Sequence, residues 1–100
     1  MTKDAPSINI EIPDGFRVYV FGSFLSSKSP EDLDILCVYD ETRIFASEAY
    51  GVAMPLVESL QELLNLPVDL TLLSTREAAE SNFVESEHCV EVAKMNLKVE

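Results

Sequence analysis

Asp32, Asp34 and Asp69 are the residues of this chain whose type and setting most need a chemical explanation. Asp32 and Asp34 flank Leu33 at the mouth of an apolar run, Leu33 to Tyr39, that reads as a buried strand. Residues two apart on a strand point to the same face, so both carboxylates aim at one point. Like charges held that close are costly unless a cation sits between them. Asp69 repeats the situation among Val68, Leu70 and Leu72, although aspartate is depleted in strands. A hard divalent cation would resolve the conflict. Mg²⁺ takes oxygen ligands and commonly uses one or two carboxylates together with substrate phosphates. Two such ions about 4 Å apart stabilise the attacking and leaving oxygens of a phosphoryl displacement. In this reading Asp32 and Asp34 hold the metals. Asp69 completes the site of the ion that activates the attacking hydroxyl, and helps accept its proton.

Gly22 and Ser23 supply the other half of that chemistry. A glycine directly after a strand lets backbone approach a phosphate with no Cβ in the way. Exposed N–H groups and the Ser23 hydroxyl then bind phosphate oxygens. Lys28 is the one basic residue in the loop that follows. Each residue alone has a plainer reading. Asp32 and Asp34 fit a solvated loop-to-strand junction after Pro30, Asp69 fits an edge-strand charge, and Ser23 fits a turn. It is their joint order along the chain that argues for a site.

The elements that must position these side chains follow from periodicity. Ile8, Ile10 and Ile12 alternate with polar residues, as in a strand, and Pro13-Asp14-Gly15 signals a turn. Phe16 to Phe21 is β-branched and aromatic, so it reads as a strand ending at Gly22. Ser26 to Glu31 is a polar loop. From Ile44 to Leu66 the pattern turns helical, with Leu56, Leu60, Leu63 and Leu64 as a core stripe. Pro55 favours a helix that begins near it, with looser helical structure before. Pro67 to Leu73 is a third strand. Ser74 and Glu77 have capping-box spacing at the start of another helix. Glu87 to Val92 reads as a short strand. The class is therefore α/β or α+β: a small mixed β-sheet with helices packed on it. Residues 1–7 read as a flexible tail and 8–100 as one domain.

The run Val20-Phe21-Gly22-Ser23, then Asp32-Leu33-Asp34-Ile35, then Val68-Asp69-Leu70, resembles the polymerase-beta superfamily of nucleotidyltransferases. It is most similar to the minimal nucleotidyltransferases, small proteins often paired with a HEPN-domain partner. The resemblance covers Val18 to Leu73. It implies the nucleotidyltransferase fold. It also implies Mg²⁺-dependent transfer of a nucleoside monophosphate from an NTP, with ATP the expected donor. The carboxylates Asp32, Asp34 and Asp69 would be catalytic, and Gly22, Ser23 and Lys28 would bind nucleotide. In some relatives the acceptor is the partner toxin, which the transfer silences. Phe24-Leu25 stands where the family often has an arginine and a second glycine. A module that keeps this fold and acts only by binding a partner is the competing expectation. Modification of a small molecule is a third, and it needs a pocket for which a chain of this size has little room.

Composition narrows the partners. There are 18 acidic residues against 7 basic ones, a formal net charge of −11. The basic residues are scattered, so nucleic acid and anionic membranes are not expected partners. A basic protein partner suits the surface better. Cys37 lies in an apolar run and reads as a small buried hydrophobe, while neither it nor Cys89 has zinc spacing. His88, the single histidine, reads as structural. Glu77, Glu80, Glu85 and Glu87 read as a solvated acidic face. The polar start, Met1 to Ser7, has no apolar leader core, and the expected compartment is the cytoplasm.

Overall fold

A computed structural model describes residues 11–92. Strands β1 (Phe16–Phe21), β2 (Leu33–Tyr39), β3 (Val68–Ser74) and β4 (Val90–Glu91) form one sheet in the order β3-β2-β1-β4. The β1–β2 and β1–β4 pairs are antiparallel and the β2–β3 pair is parallel. The sheet is therefore mixed, as the sequence leads one to expect, and the fold is α+β. A parallel pair needs a long crossover. Here it is helix α1 (Ala46–Leu64).

Alternation along the strands sorts the two faces. Val18 and Val20 of β1, Leu33, Ile35 and Cys37 of β2, and Val68 of β3 face one core. Ala49, Ala53, Leu56, Val57 and Leu60 of α1 close it. The intervening residues look the other way. Leu36 and Val38 are buried on that second face, outside the first core. The short helices α2 (Thr75–Ser81) and α3 (Phe83–Ser86) accompany it, with the Phe83 ring packed edge-to-face on Phe21 at 5.2 Å.

The helix α1 starts at Ala46, nine residues before Pro55, which lies inside it. The expectation of a helix beginning near Pro55 is thus corrected. Proline removes an N–H and crowds the carbonyl four residues back, here Gly51. Both Pro55 and Gly51 are exposed, so the carbonyl that loses its helical partner is on the side open to solvent, where a proline inside a helix is tolerated best. Meanwhile Ala49 and Ala53, both fully buried, extend the packing face toward the N-terminus. The stripe is corrected too. Leu56 and Leu60 are core, Leu64 packs against it, and Leu63 is 50% exposed. The buried face shifts to Ala49, Ala53, Leu56, Val57 and Leu60, because a helix turns 3.6 residues at a time.

The capping box is present in both directions. Glu77 N–H donates to Ser74 Oγ (3.1 Å), and Ser74 N–H donates to Glu77 Oε1 (2.9 Å). The expected strand near the C-terminus is found as β4, preceded by α3, which the sequence reading did not foresee. The expected strand over Ile8–Ile12 lies mostly outside the described residues, and Glu11 and Ile12 are not in a strand. No helix among the described residues is long and apolar enough to cross a membrane.

Candidate metal and nucleotide site

Register brings the carboxylates together. In the β2–β3 ladder Asp34 stands directly opposite Asp69, and in the β1–β2 ladder Phe21 stands opposite Asp34. Asp32, two residues before Asp34, precedes the strand on the same side. One oxygen from each of Asp32, Asp34 and Asp69 lies within 4.8 Å of the other two. Among the described residues this is the one cluster of three or more potential metal-ligating side chains. Asp32 and Asp34 are half-buried and Asp69 is exposed, so the cluster opens to solvent.

Several contacts fix this geometry. Leu33 N–H donates to Pro67 O (2.9 Å), which locks the start of β2 to the start of β3. Val68 N–H donates to the Gln61 side-chain oxygen (3.2 Å), so α1 sets the height of β3 and with it Asp69. The Phe21–Phe83 pair stands beside Asp34 on the same face. Gln61 and Phe83 carry no local signal of these roles. Each acts through a partner distant along the chain or on another element.

Gly22 sits closer to the cluster than its place in a phosphate loop requires. Its φ is +84°, a region that side chains rarely adopt. A Cβ placed there would lie 2.5 Å from Asp34 Oδ2. Glycine is thus required both for backbone conformation and for room beside the carboxylate. The chain then turns as a 3₁₀ helix over Gly22–Leu25, with Ser26 and Ser27 N–H both donating to Ser23 O (3.1 and 2.8 Å). Ser23 is exposed at the start of this turn, adjacent to Gly22. Lys28 is exposed in the loop beyond it, and no ion pair with a described residue fixes it. The structure therefore gathers Gly22, Asp32, Asp34 and Asp69, keeps Ser23 next to them, and leaves Lys28 free in the loop.

Electrostatics make the cluster a place of conflict. Burial raises the Asp34 carboxyl above the usual carboxylate range. The charges of Asp32 and Asp69, and a hydrogen bond with Asp69, push it the same way. Like charges directly opposite on neighbouring strands destabilise a sheet. Two remedies exist: a proton shared between the carboxyls, or a cation held among them. The donor set, three carboxylates open on one side, fits a hard oxygen-seeking dication that keeps some of its water or substrate oxygens.

No family model matches the chain, nor does any curated protein or any solved structure.

Cys37 is fully buried, and burial pushes its thiol up to about 12, as befits an inert core residue. His88 lies exposed in the turn after α3 at a φ of 54°. Glu80, Glu85 and Glu87 are exposed, as expected of a solvated face; Glu77 is exposed too but serves the capping box.

Proposed function

We infer that this protein is a Mg²⁺-dependent nucleotidyltransferase that moves a nucleoside monophosphate from an NTP, ATP by preference, onto an acceptor. The observation that carries this reading is the meeting of Asp32, Asp34 and Asp69 within 4.8 Å beside Gly22. Asp32 and Asp34 hold the ions. Asp69, the exposed member of the cluster, would help to hold the metal and take part in accepting the proton of the acceptor hydroxyl. The ions supply neutralisation of the phosphate charge and stabilise the attacking and leaving oxygens. Gly22 lets the chain pass close to Asp34, and Ser23 and the 3₁₀ turn offer N–H and O–H donors to phosphate oxygens. Lys28, unpaired among the described residues, is available for the outer phosphates. The net charge of −11 suits a basic protein surface, so the acceptor is assigned to a partner protein. A HEPN-type toxin silenced by the modification is the partner to try first.

One observation favours a second reading. Only Lys28 among the described basic residues belongs to the loop beside the carboxylates, which is little positive charge for a triphosphate. A nucleotidyltransferase-like module that neutralises a basic partner by docking its acidic surface would need no such charge. The experiment that separates them is incubation with Mg²⁺, each NTP in turn and the co-purifying partner, read by intact-mass spectrometry. The enzyme reading expects the partner to gain the mass of one NMP, and expects this to vanish in Asp32→Asn plus Asp34→Asn. If the doubly substituted protein still neutralises the partner, the protein acts by binding.

A further inference from the structure

Among the described residues β3 is an edge of the sheet, with β2 on one side and no strand on the other. Successive residues of a strand turn their backbone groups to opposite sides. Asp69, Thr71 and Leu73 turn theirs toward β2, in the ladder that begins where Leu33 N–H meets Pro67 O. Val68, Leu70, Leu72 and Ser74 turn theirs outward. The amides at the two ends of this outward row are already met. Val68 N–H donates to Gln61 Oε1 (3.2 Å), and Ser74 N–H donates to Glu77 Oε1 (2.9 Å). No described residue meets the N–H or C=O of Leu70 or Leu72. The middle of the edge is therefore open to another strand.

An edge strand is ordinarily closed to other chains by a lysine, a proline or a bulge. β3 has none of these, and its register with β2 runs unbroken from Val68 to Ser74. The flank of the edge is apolar. Leu70 and Leu72 stand opposite Ile35 and Cys37, so they share the face that α1 covers, yet both are only partly buried there. On α1, Tyr50, Met54, Val57 and Gln61 form one stripe at helical spacing. Gln61 ties that stripe to β3. Val57 is buried, Met54 is partly buried and Tyr50 is 59% exposed. A strand added beside β3 would cover this apolar rim.

Charge decides the occupant. α1 and β3 carry Glu48, Glu58, Glu62 and Asp69 and no lysine or arginine, within a chain of net charge −11. A second copy would bring the same acids to the same edge, whereas a basic segment is attracted to it. We propose that the β3 edge is a docking site for an extended segment of a basic partner protein, with apolar and basic residues in alternation. Its apolar residues stand opposite Leu70 and Leu72 and extend the rim formed with Met54 and Tyr50. Its basic residues point to the other face, one of them opposite the exposed Asp69, where opposite charges across a ladder attract. Main-chain hydrogen bonds give such an added strand its affinity, and the alternating side chains give it specificity. Docking here is independent of whether the carboxylates transfer nucleotide.

The test uses the full chain and an acetylated, amidated peptide of alternating lysine and valine, matched in length to β3, in buffer free of divalent cations. Amide hydrogen exchange is followed residue by residue in two-dimensional NMR. In the free chain Leu70 and Leu72 should exchange quickly, while Thr71 and Leu73 are protected by β2. Saturating peptide is expected to slow Leu70 and Leu72 by at least about tenfold and to leave Thr71 and Leu73 little changed. N-methylating the valines keeps every charge but removes the amides that pair with β3, and should weaken binding roughly tenfold or more. Any of four results overturns the proposal: no binding, binding that leaves Leu70 and Leu72 unprotected, equal binding by the N-methylated peptide, or Leu70 and Leu72 already protected in the free chain. The last would mean that another part of the chain or a second copy holds the edge.

Discussion

At the far end of β2, Asp40 accepts hydrogen bonds from Thr42, and Glu41 accepts one from the Arg76 N–H. Both carboxyls are held below their ordinary range: Asp40 chiefly by the Thr42 hydroxyl, Glu41 chiefly by its own backbone N–H. At the near end of the same strand, Asp34 faces Asp69 across the ladder with Asp32 beside it, and its carboxyl is raised. The same side-chain chemistry thus serves two purposes seven residues or fewer apart. Where backbone donors meet the carboxylate, it stabilises a turn. Where other carboxylates meet it, the fold tolerates a local cost, and such a cost points to a ligand that relieves it.

The contrast can be broken most severely at Gly22. Gly22→Ala puts a Cβ against Asp34 Oδ2 at a positive φ, and should cost roughly 2–3 kcal/mol of stability. Urea denaturation measures it; a loss below about 0.5 kcal/mol would mean the carboxylate moves aside freely. The next effect is a gain. If the site binds Mg²⁺ at about 1 mM, then about 10 mM Mg²⁺ should add roughly 1.4 kcal/mol to the native protein. The gain should disappear in Asp32→Asn plus Asp34→Asn, and thermal melts at fixed ionic strength report it.

Smaller effects should carry opposite signs at the two ends. Ser74→Ala removes the acceptor of Glu77 N–H and half of the capping box, at a cost of about 1 kcal/mol. Asp34→Asn, without metal, should instead stabilise by about 0.5 kcal/mol, because it relieves repulsion across the ladder. Its pH dependence follows from the raised carboxyl. A group that binds its proton more tightly when folded opposes folding at neutral pH, and that penalty fades as pH falls through its raised value. The advantage of Asp34→Asn over the native chain should therefore shrink to nothing below about pH 4, where the unfolded carboxyl is protonated too. Asp40 works in reverse. Its lowered carboxyl contributes stability that is lost as pH falls below the ordinary carboxylate range. Equilibrium unfolding across pH distinguishes the two signs.

How far the sequence revealed this arrangement depends on how local each signal is. The strands Phe16–Phe21 and Leu33–Tyr39 have the expected limits, because their apolar runs end abruptly at Gly22 and Asp40. The capping box at Ser74 was legible for the same reason: both partners lie within one turn. The start of α1 was not, since whether Pro55 begins or merely bends a helix depends on which side of it meets water. The three aspartates were legible as an anomaly, but their register was not. Asp34 opposite Asp69 depends on the Leu33–Pro67 bond and on Gln61 holding Val68. Nor could spacing reveal that Gly22 makes room for Asp34.

A cation should distinguish the three aspartates from every other patch of this acidic surface. The direct measurement is a titration with Mn²⁺ at substoichiometric amounts, followed by amide signals in two-dimensional NMR. Selective paramagnetic broadening is expected at Gly22, Ser23, Asp34 and Asp69 and their neighbours, reversed by excess Mg²⁺ and absent in Asp32→Asn plus Asp34→Asn. Broadening spread evenly over Glu58, Glu62, Glu80 and Glu85 as well, with no preference for the sheet end, would contradict it.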